Sequence, residues 1–154
     1  PVLLTRALLP DMLQRGRGHI VNIGSILGSL GMPYFTSYCA TKAGLQRFSE
    51  ALRRELTDTP VGVTYVAPRA VKTAINSDEV YRMAEATSMT IDEPGPVAAQ
   101  IFQAIEKELG EAYLGWPEKL FMRINALFPS FMDRATAKQS RETRRFAVDD
   151  AAGQ

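Results

Sequence analysis

A run of apolar residues closed by glycines at both ends, Gly18-His19-Ile20-Val21-Asn22-Ile23-Gly24, restricts the fold more than any other segment of this chain. Its composition predicts a strand from His19 to Ile23, apolar enough for burial on both faces, as in strands inside a parallel sheet. A second segment, Val61-Gly62-Val63-Thr64-Tyr65-Val66, alternates and is rich in β-branched residues, so it also predicts a strand. Between the two, Leu45, Phe48, Leu52 and Leu56 form one stripe of a helix expected from Ser37 to Leu56.

The first strand runs directly into chemistry. Asn22 and Ser25 lie at its end, twelve residues separate Ser25 from Tyr38, and Lys42 follows Tyr38 at helical spacing. Residues four apart share a helix face and differ by about 6 Å of rise, so an ammonium at 42 reaches the phenol at 38. An ordinary phenol is protonated at neutral pH, and a neighbouring cation favours its ionised form. Such a pair can exchange a proton with an alcohol or a carbonyl. Tyr-x-x-x-Lys alone is a weak signal and is equally the pattern of an exposed helix face; the strand ending in Ser25 gives it weight.

Together, Asn22-x-x-Ser25 after a strand and Tyr38-x-x-x-Lys42 resemble the motifs of the short-chain dehydrogenase/reductase family. A third segment extends the resemblance: the second strand leads into Pro68-Arg69-Ala70-Val71-Lys72-Thr73, where the family has Pro-Gly-x-Val-x-Thr. The resemblance implies an α/β, Rossmann-like doubly wound parallel sheet and an oxidoreductase that transfers a hydride between NAD or NADP and a carbonyl or secondary alcohol. It implies Ser25, Tyr38 and Lys42 as catalytic residues, with Tyr38 the proton donor or acceptor, and Tyr38, Lys42, Val71 and Thr73 as cofactor contacts; Asn22 is expected to support the strand end. Arg69 departs from the family's glycine, and either a phosphate contact or an ordinary loop arginine accounts for it.

By the same resemblance the chain corresponds to the second half of such a domain. None of its 154 residues forms the Gly-rich strand-to-helix turn that receives a pyrophosphate. Gly24-Ser25-Ile26-Leu27-Gly28-Ser29-Leu30-Gly31 has another spacing and falls where the family has its substrate loop. The sheet is therefore expected to lack its N-terminal strands. The sequence leaves NAD and NADP undistinguished.

The flanking segments complete the outline. Residues 2–13 read as a helix ending before Arg15-Gly16-Arg17-Gly18. Residues 74–91 fit either a mobile substrate lid or a plain surface helix. Asp92-Glu93-Pro94-Gly95-Pro96 announces a helix through Val97, Ile101, Ile105 and Leu109, and Ala112-Tyr113-Leu114-Gly115 a last strand. Residues 1–115 are thus expected to form the Rossmann-type half-domain and 116–154 a basic helical extension. In that extension Leu120, Phe121, Ile124, Leu127, Phe128, Phe131 and Met132 define an amphipathic helix with a kink at Pro129. Between 117 and 147 seven Lys/Arg face three Asp/Glu, so the extension suits a membrane surface, or packing against the parent domain or a second subunit.

Composition limits the partners. A net charge of +1 supplies no argument for nucleic acid. One cysteine, Cys39, excludes an internal disulfide, suits a reducing compartment and reads as a small packed residue. No apolar run reaches the ~20 residues of a membrane span, and no metal-ligand spacing occurs. The expected protein is cytoplasmic or peripheral to a membrane, acts on a small carbonyl or alcohol, with an apolar one among the alternatives, and forms a homo-oligomer. Two other readings compete: a half-domain dependent on a partner segment, and a non-enzymatic scaffold that kept the fold.

Overall fold

The computed structural model describes residues 1–134, 136, 137, 141, 143 and 144. Helix α1 (Val2–Gln14) leads into strand β1 (Gly18–Ile23), a 3-10 turn (Ile26–Gly28) and the long helix α2 (Thr36–Glu55). Strand β2 (Val61–Ala67), helices α3 (Asp78–Ala86) and α4 (Pro94–Glu106), strand β3 (Glu111–Tyr113) and helix α5 (Glu118–Leu127) follow. The strands form one parallel sheet in the order β1-β2-β3, with Gly18 opposite Val61 and Tyr65 opposite Glu111.

Alternation along β2 sends its side chains to two apolar layers. On one face Ile20, Val61 and Val63 pack with Leu52 and Leu56 of α2, and Leu9, Met12 and Phe48 close the cluster. On the other, Val66 meets Val97 and Ala104 of α4 and Leu114. Helices cover both sides, as the α/β expectation requires.

Three elements depart from the sequence reading. Of β1 only Ile20 and Asn22 are buried, and Ile23 is exposed, because among the described residues β1 has a strand neighbour on one side only. Helix α4 stops three residues before Leu109: Glu108 takes a left-handed conformation, and the Leu109 N–H turns back to the Ala104 carbonyl. Residues 78–86 are a regular helix with Met83 and Ala84 buried. Finally, the helix of the extension breaks at Phe128 rather than kinking at Pro129; proline disfavours helical backbone in the residue before it and then opens the next helical stretch.

The extension's apolar stripe is mostly uncovered. Leu120, Phe121, Leu127, Phe128 and Phe131 are exposed, while Met122 and Met132 are buried. Helix α5 meets the rest of the chain through buried Met122 and through two polar links. Asn125 Nδ2 donates to the Ser29 carbonyl at 3.3 Å, and Glu118 accepts from Arg69 at 3.0 Å. Of the seven cations between 117 and 147, Lys138 and Arg145 lie outside the described residues.

Candidate active site

The C-terminal ends of parallel strands are where open α/β sheets place their ligands, and both β1 and β2 run out toward the same margin. After Ile23 the chain stays in register with β2 for three more residues: Gly24 N–H donates to the Val66 carbonyl at 2.7 Å and Ile26 N–H to the Pro68 carbonyl at 3.1 Å. Ser25 lies between them, is only 7% exposed and caps the 3-10 turn, its Oγ accepting from Leu27 N–H at 3.1 Å.

Tyr38 sits in the first turn of α2 and is 42% exposed, held edge-on against Phe35 with ring centroids 6.4 Å apart. Lys42 lies one turn further. Its Nζ is 5.6 Å from the centre of the Tyr38 ring and donates to the Ile23 carbonyl at 3.3 Å. The lysine therefore bridges the tyrosine to the end of the strand that delivers Ser25. Asn22 ties the same strand to α2 from within, its Nδ2 donating to Ser49 Oγ at 2.9 Å.

Tyr65, which sequence reasoning left as a strand residue, joins these parts. Its hydroxyl accepts from Ser25 N–H at 3.4 Å and donates to the Ser25 carbonyl at 3.3 Å. Burial pushes this phenol above its ordinary pKa, against the opposing effect of its hydrogen bond to the Ser25 backbone. Tyr65 thus holds the Ser25 backbone from within the sheet. Only the β-propensity of Tyr65 was visible in the sequence, because its role depends on a partner forty residues away in the chain.

The segment after β2 is organised differently from Ser25, Tyr38 and Lys42. Val71 pairs with Asp92 in an isolated parallel bridge, and its carbonyl accepts from Asn76 Nδ2 at 2.8 Å. Thr73 is exposed, and its carbonyl accepts from the Tyr81 hydroxyl of α3 at 3.1 Å.

Arg69 is engaged within the chain. Its guanidinium grips both Asp92 oxygens at 2.7 Å, Glu118 at 3.0 Å and the Trp116 carbonyl at 2.9 Å. Hydrogen bonding to Asp92 first, then to Glu118, holds it protonated well above even an arginine's usual range. The side chain packs against Gly115, whose φ of +98° and missing Cβ make the close approach feasible. A position that resembles a cofactor contact thus clamps the segment after β2 to the start of α5.

Beside the start of α2 an open cleft of about 520 Å3 lies between Met32, Pro33 and Cys39 on one side and Asp133, Thr136 and Ala137 on the other. Cys39 accepts from Met32 N–H at 3.5 Å. Among the described residues no group of three or more His, Cys, Asp or Glu is arranged to hold a metal ion.

A parallel sheet with helices on both faces, and with Tyr38 and Lys42 one helical turn apart at its C-terminal margin, defines an α/β protein. The short chain dehydrogenase family matches residues 1–83 of the chain. The chain belongs to that family. It is 32% identical over 151 residues to "Dehydrogenase/reductase SDR family member 7B" of Danio rerio, covering 92% of this chain and 48% of that protein. It is 34% identical over 138 residues to "Ketoacyl reductase HetN" of Nostoc, covering 85% and 47%. Among solved structures, a short-chain dehydrogenase from Streptomyces avermitilis superposes with a TM-score of 0.67 at 30% identity, over 91% of this chain and 58% of that one. A serine dehydrogenase complexed with NADP+ superposes with a TM-score of 0.62 at 31% identity, over 73% and 50%. The chain spans about half the length of the curated relatives it matches.

Proposed function

We propose that this chain forms the nicotinamide and substrate end of an NAD(P)-dependent oxidoreductase acting on a carbonyl or secondary alcohol. The observation that carries the reading is Lys42, which stands over the Tyr38 ring and also bonds the end of the Ser25 strand. A hydroxyl, a phenol and an ammonium at one strand margin are donors suited to a nicotinamide ribose and a substrate oxygen. NAD(P), when bound, supplies the hydride chemistry while the protein orients it and manages the proton.

In this reading Tyr38 gives its phenolic proton to the nascent alkoxide, or takes one from the alcohol in the oxidative direction. Ser25 holds the substrate oxygen by a hydrogen bond. Lys42 supports the phenolate by charge and binds the ribose hydroxyls, and Val71 and Thr73 hold the carboxamide side. Among the described residues no Gly-rich strand-to-helix turn suited to a pyrophosphate occurs, so the reading assigns them the nicotinamide end alone. NAD and NADP remain equal alternatives.

Tyr38→Phe in the complete protein tests the assignment. Positioned proton transfer contributes about 10²–10⁴-fold, so turnover should fall by that much while NADH or NADPH still quenches protein fluorescence on titration. Turnover at the wild-type rate refutes the role. Absent quenching by either cofactor favours the scaffold reading.

The exposed aromatic face of residues 120–131, beside exposed Lys119, Arg123 and Arg134, supports a second reading, docking of the extension on an anionic membrane surface. Among the described residues no helix is long and apolar enough to cross a membrane. Sedimentation with phosphatidylserine vesicles, with and without residues 117–154, tests it; equal partitioning ends it. Exposed Leu3, Leu4 and Leu8 on α1 support a homo-oligomer, which analytical ultracentrifugation tests. The single cysteine suits the cytoplasm as the compartment of the parent protein, and cell fractionation tests that placement.

A further inference from the structure

We propose that Tyr65 is the positioning residue for Ser25, fixing the backbone from which the serine reaches a substrate oxygen; the inference rests on the catalytic reading of Ser25 given above. The residues on either side of Ser25 are held by the sheet, through Gly24 N–H to Val66 and Ile26 N–H to Pro68. The strand's alternation turns Ser25's own N–H and carbonyl away from the β2 backbone. At 7% exposure these two groups have little access to water. The Ser25 carbonyl accepts from Gly28 N–H at 3.0 Å within the 3-10 turn, and the Tyr65 hydroxyl adds a second bond to it at 3.3 Å while accepting from the Ser25 N–H at 3.4 Å. A hydroxyl does both at once.

The surroundings are shaped to this phenol. A Cβ on Gly24 would lie 2.1 Å from the Tyr65 hydroxyl, and one on Gly28 would lie 3.1 Å from it. Two glycines therefore leave a slot that one buried ring fills, and Tyr65 itself is 1% exposed. Behind it the Tyr113 ring packs edge-on, with centroids 6.5 Å apart. The Tyr113 hydroxyl accepts from Gln46 Nε2 at 2.6 Å, and Gln46 Oε1 accepts from Ser29 Oγ at 2.8 Å. Gln46 lies one helical turn after Lys42, so the helix carrying the proton-transfer pair also braces the ring that holds Ser25. Because Ser25 Oγ is committed to Leu27 N–H, the serine's backbone, more than rotation of its side chain, decides where that oxygen sits.

A double-mutant cycle on the complete protein tests this, using the carbonyl compound that supports the fastest NADPH or NADH oxidation. Phenylalanine fills the same slot, so Tyr65→Phe removes only the hydroxyl. A small misplacement of a reacting group costs about 10²-fold, and we expect Tyr65→Phe to lower kcat about tenfold or more with cofactor affinity unchanged. The double variant Ser25→Ala/Tyr65→Phe should be no slower than Ser25→Ala alone, because nothing remains for Tyr65 to position. Losses that multiply would make Tyr65 a packing residue and overturn the proposal. Ser25→Ala at the wild-type rate would instead overturn the reading of Ser25, and the proposal with it.

Hydrogen exchange gives a readout independent of folding in the variants. In the wild-type protein the Ser25 amide should be protected like those of Gly24 and Ile26, although it lies outside the strand ladder. Exchange as fast as an open loop amide would overturn the proposal.

Discussion

Asn22 Nδ2 donates to Ser49 Oγ at 2.9 Å, and that bond joins the strand delivering Ser25 to the helix carrying Tyr38 and Lys42. Both side chains are buried, and Ser49 donates onward to the Leu45 carbonyl at 2.7 Å, so the pair is closed to water. Removing one partner strands the other. Leaving a buried amide unsatisfied costs about 1–3 kcal/mol. Ser49→Ala is therefore expected to lower unfolding free energy by that amount in denaturant melts, whereas an exposed serine such as Ser37 should tolerate alanine nearly unchanged.

Arg69 is expected to matter for stability and not for cofactor binding. Its side chain is 13% exposed, and Asp92 and Glu118, at 23% and 18%, would be left without their cation. Truncating one partner of such a group is expected to cost about 3 kcal/mol. Arg69→Gly, which restores the family's residue, should lower the melting temperature about as much as Arg69→Ala and leave the NADH and NADPH dissociation constants within twofold. Loss of cofactor affinity in either variant would show that the arginine does reach the cofactor.

Gly24 tolerates no side chain. Its Cβ would meet the Tyr65 ring at 2.2 Å and the hydroxyl at 2.1 Å, and the ring has no exposed side into which to retreat. Overpacking of this kind costs about 1–3 kcal/mol, or more. Gly24→Ala should lose stability and turnover together, while Gly31→Ala, with open space around the added methyl, should change neither. Thermal melts and initial rates on the two variants separate the cases.

Alkaline pH should weaken the fold through Tyr113. Burial, and then its hydrogen bond to Glu111, raise this phenol above its ordinary pKa in the folded state. A free phenol ionises near pH ~10. Above that pH the unfolded chain releases a proton that the folded chain retains, so unfolding becomes more favourable as pH rises. The contribution is fully present below the unfolded pKa and is lost as pH rises toward the folded one. Tyr113→Phe should flatten the decline of unfolding free energy between pH 9 and pH 11, measured by urea denaturation at each pH. An unchanged slope would assign the alkaline limb to other groups.

Much of the architecture was legible because it rests on periodicity. The apolar run His19–Ile23, the alternating Val61–Val66 and the stripe Leu45, Phe48, Leu52, Leu56 each carry their own signature, and the structure forms elements at all three. The spacing of Tyr38 and Lys42 likewise predicts a shared helix face, and the two side chains do meet. The extension was harder to read. Its stripe fits an amphipathic helix, yet five of those residues face outward, since a helical period specifies that one side is apolar and says nothing of what covers it.

Local order along the chain therefore settled which residues become strand, helix and turn, because each such preference involves neighbours a few positions apart. Folding alone decided the role of Arg69 as a clamp, the bond from Asn22 to Ser49 and the grip of Tyr65 on Ser25. Those contacts join residues 23 to 49 positions apart in the chain, brought into range by the sheet. A side chain's identity announces which bonds it can make; only the packed sheet and its helices determine which partner is within about 3 Å to make them.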